Sequence, residues 1–191
     1  MSNKKEKAAM MAAAEGDALV PKLRFPEFRD AGEWGTKLLG SIGQTINGLS
    51  GKSGDDFGQG KPFITYKQVF DSDFVDFAKC GLVEIREGEN QNEIKRGDIL
   101  FTTSSETPDE VGYASVVLRE PPCPVYLNSF CFSFRPSSPP NELIPEFSGY
   151  LFRSPIYRKL VTILAQGSTR FNISKVAFLN LSLPIPQTKE Q

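Results

Sequence analysis

Between residues 36 and 136 the apolar residues come in short runs, each closed off by Gly, Pro, Asn or Asp. Breakers at that density leave no room for helices of ordinary length, whereas strands of about four to eight residues fit between them. The β-branched and aromatic content of the runs points the same way. Strands are predicted near 36–39, 44–47, 62–66, 83–85, 98–104 and 113–118, and along "PVYLNSFCFSFRP" at 124–136.

The pattern changes after the polar loop "PSSPPNEL". In "IPEFSGYLFRSPIYRKLVTILAQG" the residues Phe147, Tyr150, Leu151, Ile156, Leu160, Ile163 and Leu164 recur at helical spacing, interrupted by Pro155. Two consecutive helices packed on the sheet are predicted. Ser174 is a predicted cap for one last turn, "SKVAFL", ahead of a closing strand in "NLSLPIP". The fold class is α+β: a β-rich body with C-terminal helices packed on its sheet.

The 191 residues, 39% hydrophobic and 24% charged, suit one folded domain with one sizeable core. That domain is predicted over 20–191. Residues 1–19 hold an Ala-rich stretch that ends at Gly16 and reads as a helical arm outside the core. The segment "PKLRFPEFRDAGEW" is expected to dock through Leu23, Phe25 and Phe28. No apolar run approaches the roughly 20 residues of a membrane span, and the N-terminus lacks a signal-peptide apolar region, so a cytoplasmic location is expected.

Several chemistries fall away. There is no histidine, and Cys80, Cys123 and Cys131 follow no metal-ligand spacing. Neither a metal nor another cofactor is expected. "GKS" at 51–53 would need a Gly five residues before Gly51 to form a phosphate loop, and Ile46 stands there. The adjacent pairs Asp55–Asp56 and Asp109–Glu110 read as solvated loop charge. Cys131 has no histidine to activate it as a nucleophile. No catalytic residue is therefore assigned.

Charge is uneven although the net is −1. Residues 81–150 carry 5 Lys/Arg against 11 Asp/Glu, whereas 151–191 carry Arg153, Arg158, Lys159, Arg170, Lys175 and Lys189 against Glu190 alone. A local basic face is predicted over 151–191. The hydroxyl run Thr102, Thr103, Ser104 and Ser105 suits either turn capping or bonds to phosphate oxygens and base edges. In "AQGSTRFNISK", Gln166, Ser168, Thr169, Arg170 and Asn172 offer amide, hydroxyl and guanidinium donors of the kind that pair with purine edges, and Lys175 suits a phosphate. A plain connecting loop is the alternative.

Six blocks in order, "PKLRFPEF" with Trp34, "GKPFITYKQVF", "KRGDILFTTSSETPDEVGYASVV", "YLNSFCFSFRP", "LFRSPIYRKL" and "AQGSTRFNISKVAFLNLSLPIPQTKEQ", resemble the specificity subunit of type I restriction-modification enzymes. The resemblance covers one target recognition domain, over about residues 20–191. It implies a β-rich domain with helices that reads one half of a split site in double-stranded DNA. It also implies no catalysis in this chain: methyl transfer belongs to modification subunits and cleavage to a restriction subunit reached through them. The family continues into a spacer helix and a second recognition domain where this sequence ends at "KEQ", so half a subunit, with a second half subunit as a possible partner, is expected.

Base-contacting residues in that family vary with the site read. DNA contacts are therefore predicted by chemistry and position at Lys52, Lys61, Thr65, Tyr66 and Lys67, at Thr102, Thr103, Ser104 and Ser105, and at Gln166, Ser168, Arg170, Asn172 and Lys175. A concave basic face joining 48–67 to 166–175 would favour this reading. The rival is a protein-interaction adaptor that alters the restriction-modification complex, which an exposed apolar face on 145–165 would favour. An enzyme using Cys131 or a carboxylate pair ranks third.

Overall fold

The computed structural model describes residues 21, 24–137 and 143–191; the predicted arm at 1–19 and Leu23 lie outside the described residues. In chain order the elements are β1 (Gly35–Leu38), a helical turn α1 (Leu39–Ile42), β2 (Gly43–Asn47), β3 (Phe57–Ile64), α2 (Tyr66–Asp71), β4 (Gly81–Val83), β5 (Ile99–Thr102), β6 (Ser104–Ser105), β7 (Ala114–Val116), β8 (Tyr126–Leu127) and β9 (Cys131–Pro136). Then follow α3 (Pro145–Leu151), α4 (Pro155–Ile163), β10 (Phe171–Asn172), α5 (Lys175–Leu179) and β11 (Ser182–Ile185).

An antiparallel four-stranded sheet, ordered β2-β9-β5-β7, forms the centre. Every residue of β5 is buried, which requires cover on both faces of the sheet. Alternation sorts its side chains between two cores. Ile99 and Phe101 face the helices, opposite Phe134 and Phe132 on β9, and join one cluster with Tyr157, Val161 and Phe178. Leu100 faces the other way and joins Ile64, Val69, Ile94, Val117, Val125, Leu127 and Cys131. The three-stranded sheet β4-β3-β8 helps to cover that side, with β3 and β8 running parallel.

Phe101 is the hub of the first core. Its ring centroid lies 4.8 Å from Phe178, 5.1 Å from Phe152 and 5.3 Å from Phe132. Such offset and edge contacts add to the area these rings bury. The helices enter as predicted: Pro155 begins α4, and the Ser154 hydroxyl caps it by accepting from Tyr157 N at 3.3 Å. Ser174 caps α5 in the same way, accepting from Ala177 N at 3.4 Å. Gly112, at φ +68°, lies under α4; a Cβ there would stand 2.7 Å from Val161 Cγ2.

Four expectations change. The predicted strand near 62–66 ends at Ile64, because Thr65 caps helix α2 by accepting from Gln68 N at 3.2 Å. The predicted strand at 36–39 gives way at Leu39 to α1, which buries Leu39 and Ile42 together. The run at 124–136 splits at Asn128, whose Oδ1 accepts from Phe130 N at 2.9 Å and whose carbonyl accepts from Cys131 N at 3.0 Å. The segment before β1 docks through charge rather than Phe25, which stays 70% exposed. Arg24 clasps Glu190 with bonds of 2.7 and 3.1 Å, and Trp34 Nε1 donates to the same carboxylate at 2.8 Å, beside the β1–β11 ribbon.

Asp98 is fully buried at the entry to β5. Both its oxygens accept from Arg135, each at 2.7 Å, and Oδ2 also accepts from Lys95 N at 2.8 Å. Removing one member of such a pair strands the other, so Asp98→Ala is expected to lower unfolding stability by about 3–5 kcal/mol in a denaturant titration. Cys131 is buried in the second core, and burial pushes its thiol up. Burial likewise pushes Cys80 up to about 11, whereas Cys123 is exposed. A thiol reagent is expected to modify Cys123 first in the native protein and Cys131 only on unfolding; rapid native labelling of Cys131 would contradict this packing.

Candidate nucleic-acid interface

Where β5 leaves the sheet, the hydroxyl run takes on graded roles. Thr102 is buried, and its Oγ1 accepts from Tyr113 N at 3.0 Å, so it holds the rim together. Thr103 works through its backbone: its N–H donates to the Phe130 carbonyl at 2.8 Å and its carbonyl accepts from Ile173 N at 2.9 Å. Ser104 and Ser105 form β6 and pair with Asn172 and Phe171 of β10. The hydroxyl turn and the Gly-Ser-Thr-Arg loop, far apart in sequence, become one ribbon.

That loop is closed by a reciprocal backbone pair, Gln166 N to the Asn172 carbonyl at 3.0 Å and Asn172 N to the Gln166 carbonyl at 2.8 Å. Gly167 sits at φ +138°, where a Cβ would collide with the Arg170 carbonyl, so the turn requires glycine. Gln166, Ser168, Thr169, Arg170 and Asn172 are all exposed on it. The Arg170 guanidinium lies 5.7 Å from the centroid of Phe130, whose ring is 55% exposed at the Asn128 turn.

Between these pieces lies a cleft of about 340 Å³. Tyr66 and Phe70 of α2 line it, their rings near-parallel at 6.3 Å, together with Ser104, Ser105, Glu106, Glu110, Phe130 and Arg170. The Tyr66 hydroxyl donates to the Ser104 carbonyl at 2.7 Å, and burial pushes this phenol up, so it stays a donor. Ser105 Oγ donates to Glu110 Oε2 at 2.8 Å. No ion pair joins Arg170 to Glu106 or Glu110 among the described residues. The cleft therefore presents opposite charges that do not neutralise each other by contact.

Of the sequence-predicted contacts, Tyr66, Ser104, Ser105 and Arg170 line this cleft, and Gln166, Ser168 and Asn172 lie on its exposed ribbon. Lys175 Nζ donates to Asn47 Oδ1, tying the end of β2 to α5. The others are placed differently. Lys52 is nearly buried and pairs with Glu89 at 2.7 Å. Thr65 serves as a helix cap, Lys67 pairs with Asp71 at 2.6 Å one turn along α2, and Lys61 is exposed on β3 opposite Val83.

The basic face predicted from 151–191 is also smaller than the charge count. Arg153 donates to the carbonyls of Ala114, Val69, Phe70 and Ser72 and pairs with Asp73 at 2.9 Å. Arg158 lies 4.4 Å from the Tyr113 centroid and donates to the carbonyls of Val111 and Asp109. Both act as internal clamps. The cleft also takes in Phe70, Glu106 and Phe130, which sequence reasoning did not single out, and Glu110, which it read as loop charge; Thr65 followed three residues on by Gln68 is a capping signal that would have found α2 and with it Phe70.

The architecture is shared with solved structures. The S subunit of a type I restriction-modification system from M. genitalium aligns over 90% of this chain and 38% of its own, with 14% identity and a TM-score of 0.56. The HsdS subunit from Thermoanaerobacter tengcongensis aligns over 99% of this chain and 41% of its own, with 19% identity and a TM-score of 0.53. A chain from a study of assembly and conformational transition of the type I R-M system gives 19% identity, a TM-score of 0.52, and coverage of 99% and 42%. The chain thus spans about two-fifths of the length of these neighbours. No curated protein sequence matches it. The family model for the type I restriction modification DNA specificity domain matches residues 31–191, and the chain belongs to that family.

Proposed function

We propose that the domain reads one half of a bipartite site in double-stranded DNA and directs modification subunits, and through them the restriction subunit, to that site. The observation that carries the reading is the β6–β10 ribbon, which brings Arg170 and the exposed amide and hydroxyl side chains of 166–172 to the edge of an aromatic-lined cleft. A guanidinium fork matches O6 and N7 of guanine, and exposed amides match adenine, so such a rim suits base edges in a major groove. Tyr66 reaches the ribbon through the Ser104 carbonyl and Lys175 reaches the end of β2 through Asn47, so the two stretches meet at polar contacts, while Lys52 and Lys67 are paired with acids and the basic part of the face is confined to the 166–175 side. Recognition is the domain's contribution, methyl transfer and cleavage belong to partners in the cytoplasm, and a second specificity half completes the site.

The adaptor reading has weaker support. On 145–165 the exposed large apolar residues are Tyr150, Ile156 and Ile163. Tyr150 leans on Phe74 at 6.0 Å, and Ile156 and Ile163, two turns apart on one face of α4, make only a short apolar stripe.

A randomised-duplex selection at low salt with the full chain tests the proposal. Arg170→Ala is expected to relax one position of the enriched motif by about tenfold, in line with ~1–3 kcal/mol for a bidentate base contact. Lys175→Ala is expected to weaken all duplexes alike. Equal weak binding to every sequence would sink the reading.

A further inference from the structure

We propose that Glu110 is a specificity-determining residue: its carboxylate, held by Ser105, accepts a hydrogen bond from the exocyclic amine of a cytosine in the recognised half-site. The inference rests on the DNA reading above and goes beyond it by naming a base and the group that selects it.

A carboxylate on a face that meets a polyanion is repelled by every phosphate, so it weakens binding unless a donor meets it. Glu110 is nonetheless built into the cleft. It ends the 3-10 turn Pro108–Glu110, its N–H bonds to the Thr107 carbonyl at 3.3 Å, and its Oε2 accepts from Ser105 at 2.8 Å. Ser105 is itself buried and fixed by its pairing with Phe171 in the β6–β10 ribbon. The carboxylate is therefore preorganised, unlike that of Glu106, which is exposed and bonded to none of these groups.

Ser105 occupies Oε2, and a second donor can meet the carboxylate from the cleft that Glu110 lines. In the major groove the donors on base edges are the amines of cytosine and adenine. Adenine carries its N7 lone pair beside the amine, which would confront an acceptor-only carboxylate; cytosine has no acceptor there. Arg170, across the same cleft and not ion-paired to Glu110, has the complementary preference for guanine. A donor and an acceptor in one cleft suit the two members of C·G pairs.

The test is the selection with the full chain, run for the wild type, Glu110→Gln, Glu110→Ala, Ser105→Ala and Arg170→Ala, with melting curves to verify folding. The wild type is expected to enrich a motif with a fixed cytosine. Glu110→Gln and Glu110→Ala are expected to lower that cytosine preference by about tenfold while other positions hold, and the Gln variant to gain adenine there, since an amide pairs with N6 and N7 together. Ser105→Ala is expected to loosen the same position less, as befits a positioning residue. Glu110 variants that keep the wild-type motif, or that merely bind every duplex more tightly as loss of a repulsive charge would produce, overturn the inference. If Arg170→Ala relaxes its own position in that case, the DNA reading stands alone; if the wild type enriches no motif, both fall.

Discussion

A strand buried on both faces needs apolar neighbours from two directions, and the arrangement of this domain follows from supplying them to β5. Phe101 draws the rings of Phe132, Phe152 and Phe178 to one side, which brings α4 and α5 against the sheet. Leu100 requires the second core, which brings α2 and the β3–β8 pair to the other. Since side chains alternate along a strand, a slip of one residue would exchange the two sets, so the register of β5 against β9 is strongly specified. The cleft inherits that rigidity, because its rim is the direct continuation of β5.

The arginines show how a charge count can mislead. A guanidinium offers five donors in a planar fork, so it can satisfy several carbonyls at the end of a helix or a turn at once. Arg153 does this for α2, whose last carbonyls have no partner within the helix. Arg158 does it for the turn before Gly112 while stacking on Tyr113. Their charge still adds to the field, but their donors are committed to the frame. Arg170 differs from them: it is exposed on its loop, with its guanidinium 5.7 Å from the centroid of Phe130.

How much of this was legible follows the range of the interactions. Pro155, Ser154 and Ser174 mark helix starts by local rules, and the expected helices appear at those residues. The β runs were readable because alternation and breakers are local too. Helix α2 was missed although Thr65 and Gln68 carry its signal, because the β-branched run before it hides the change of period. The partners of Lys52 and Glu110 were not legible for a different reason. Glu89 reaches Lys52 from 37 residues away, and Ser105 reaches Glu110 across a turn whose closure depends on β10. Pairings of that kind exist only once the chain is folded.

Along residues 102–110 the fold passes from frame to exposed surface within a few positions. Thr102 is a buried pin, Thr103 is tied through its backbone, Ser104 holds Tyr66, Ser105 orients Glu110, and Glu106 stands in solvent. Replacing Thr102 would leave the Tyr113 N–H without its partner, at a cost of about 1–3 kcal/mol. Replacing the side chains at 106, 110, 130 or 170 leaves the sheet and both cores intact, since none of them belongs to either cluster. Frame and exposed rim are therefore separable in this domain, and the rim's side chains can vary without disturbing the packing that positions them.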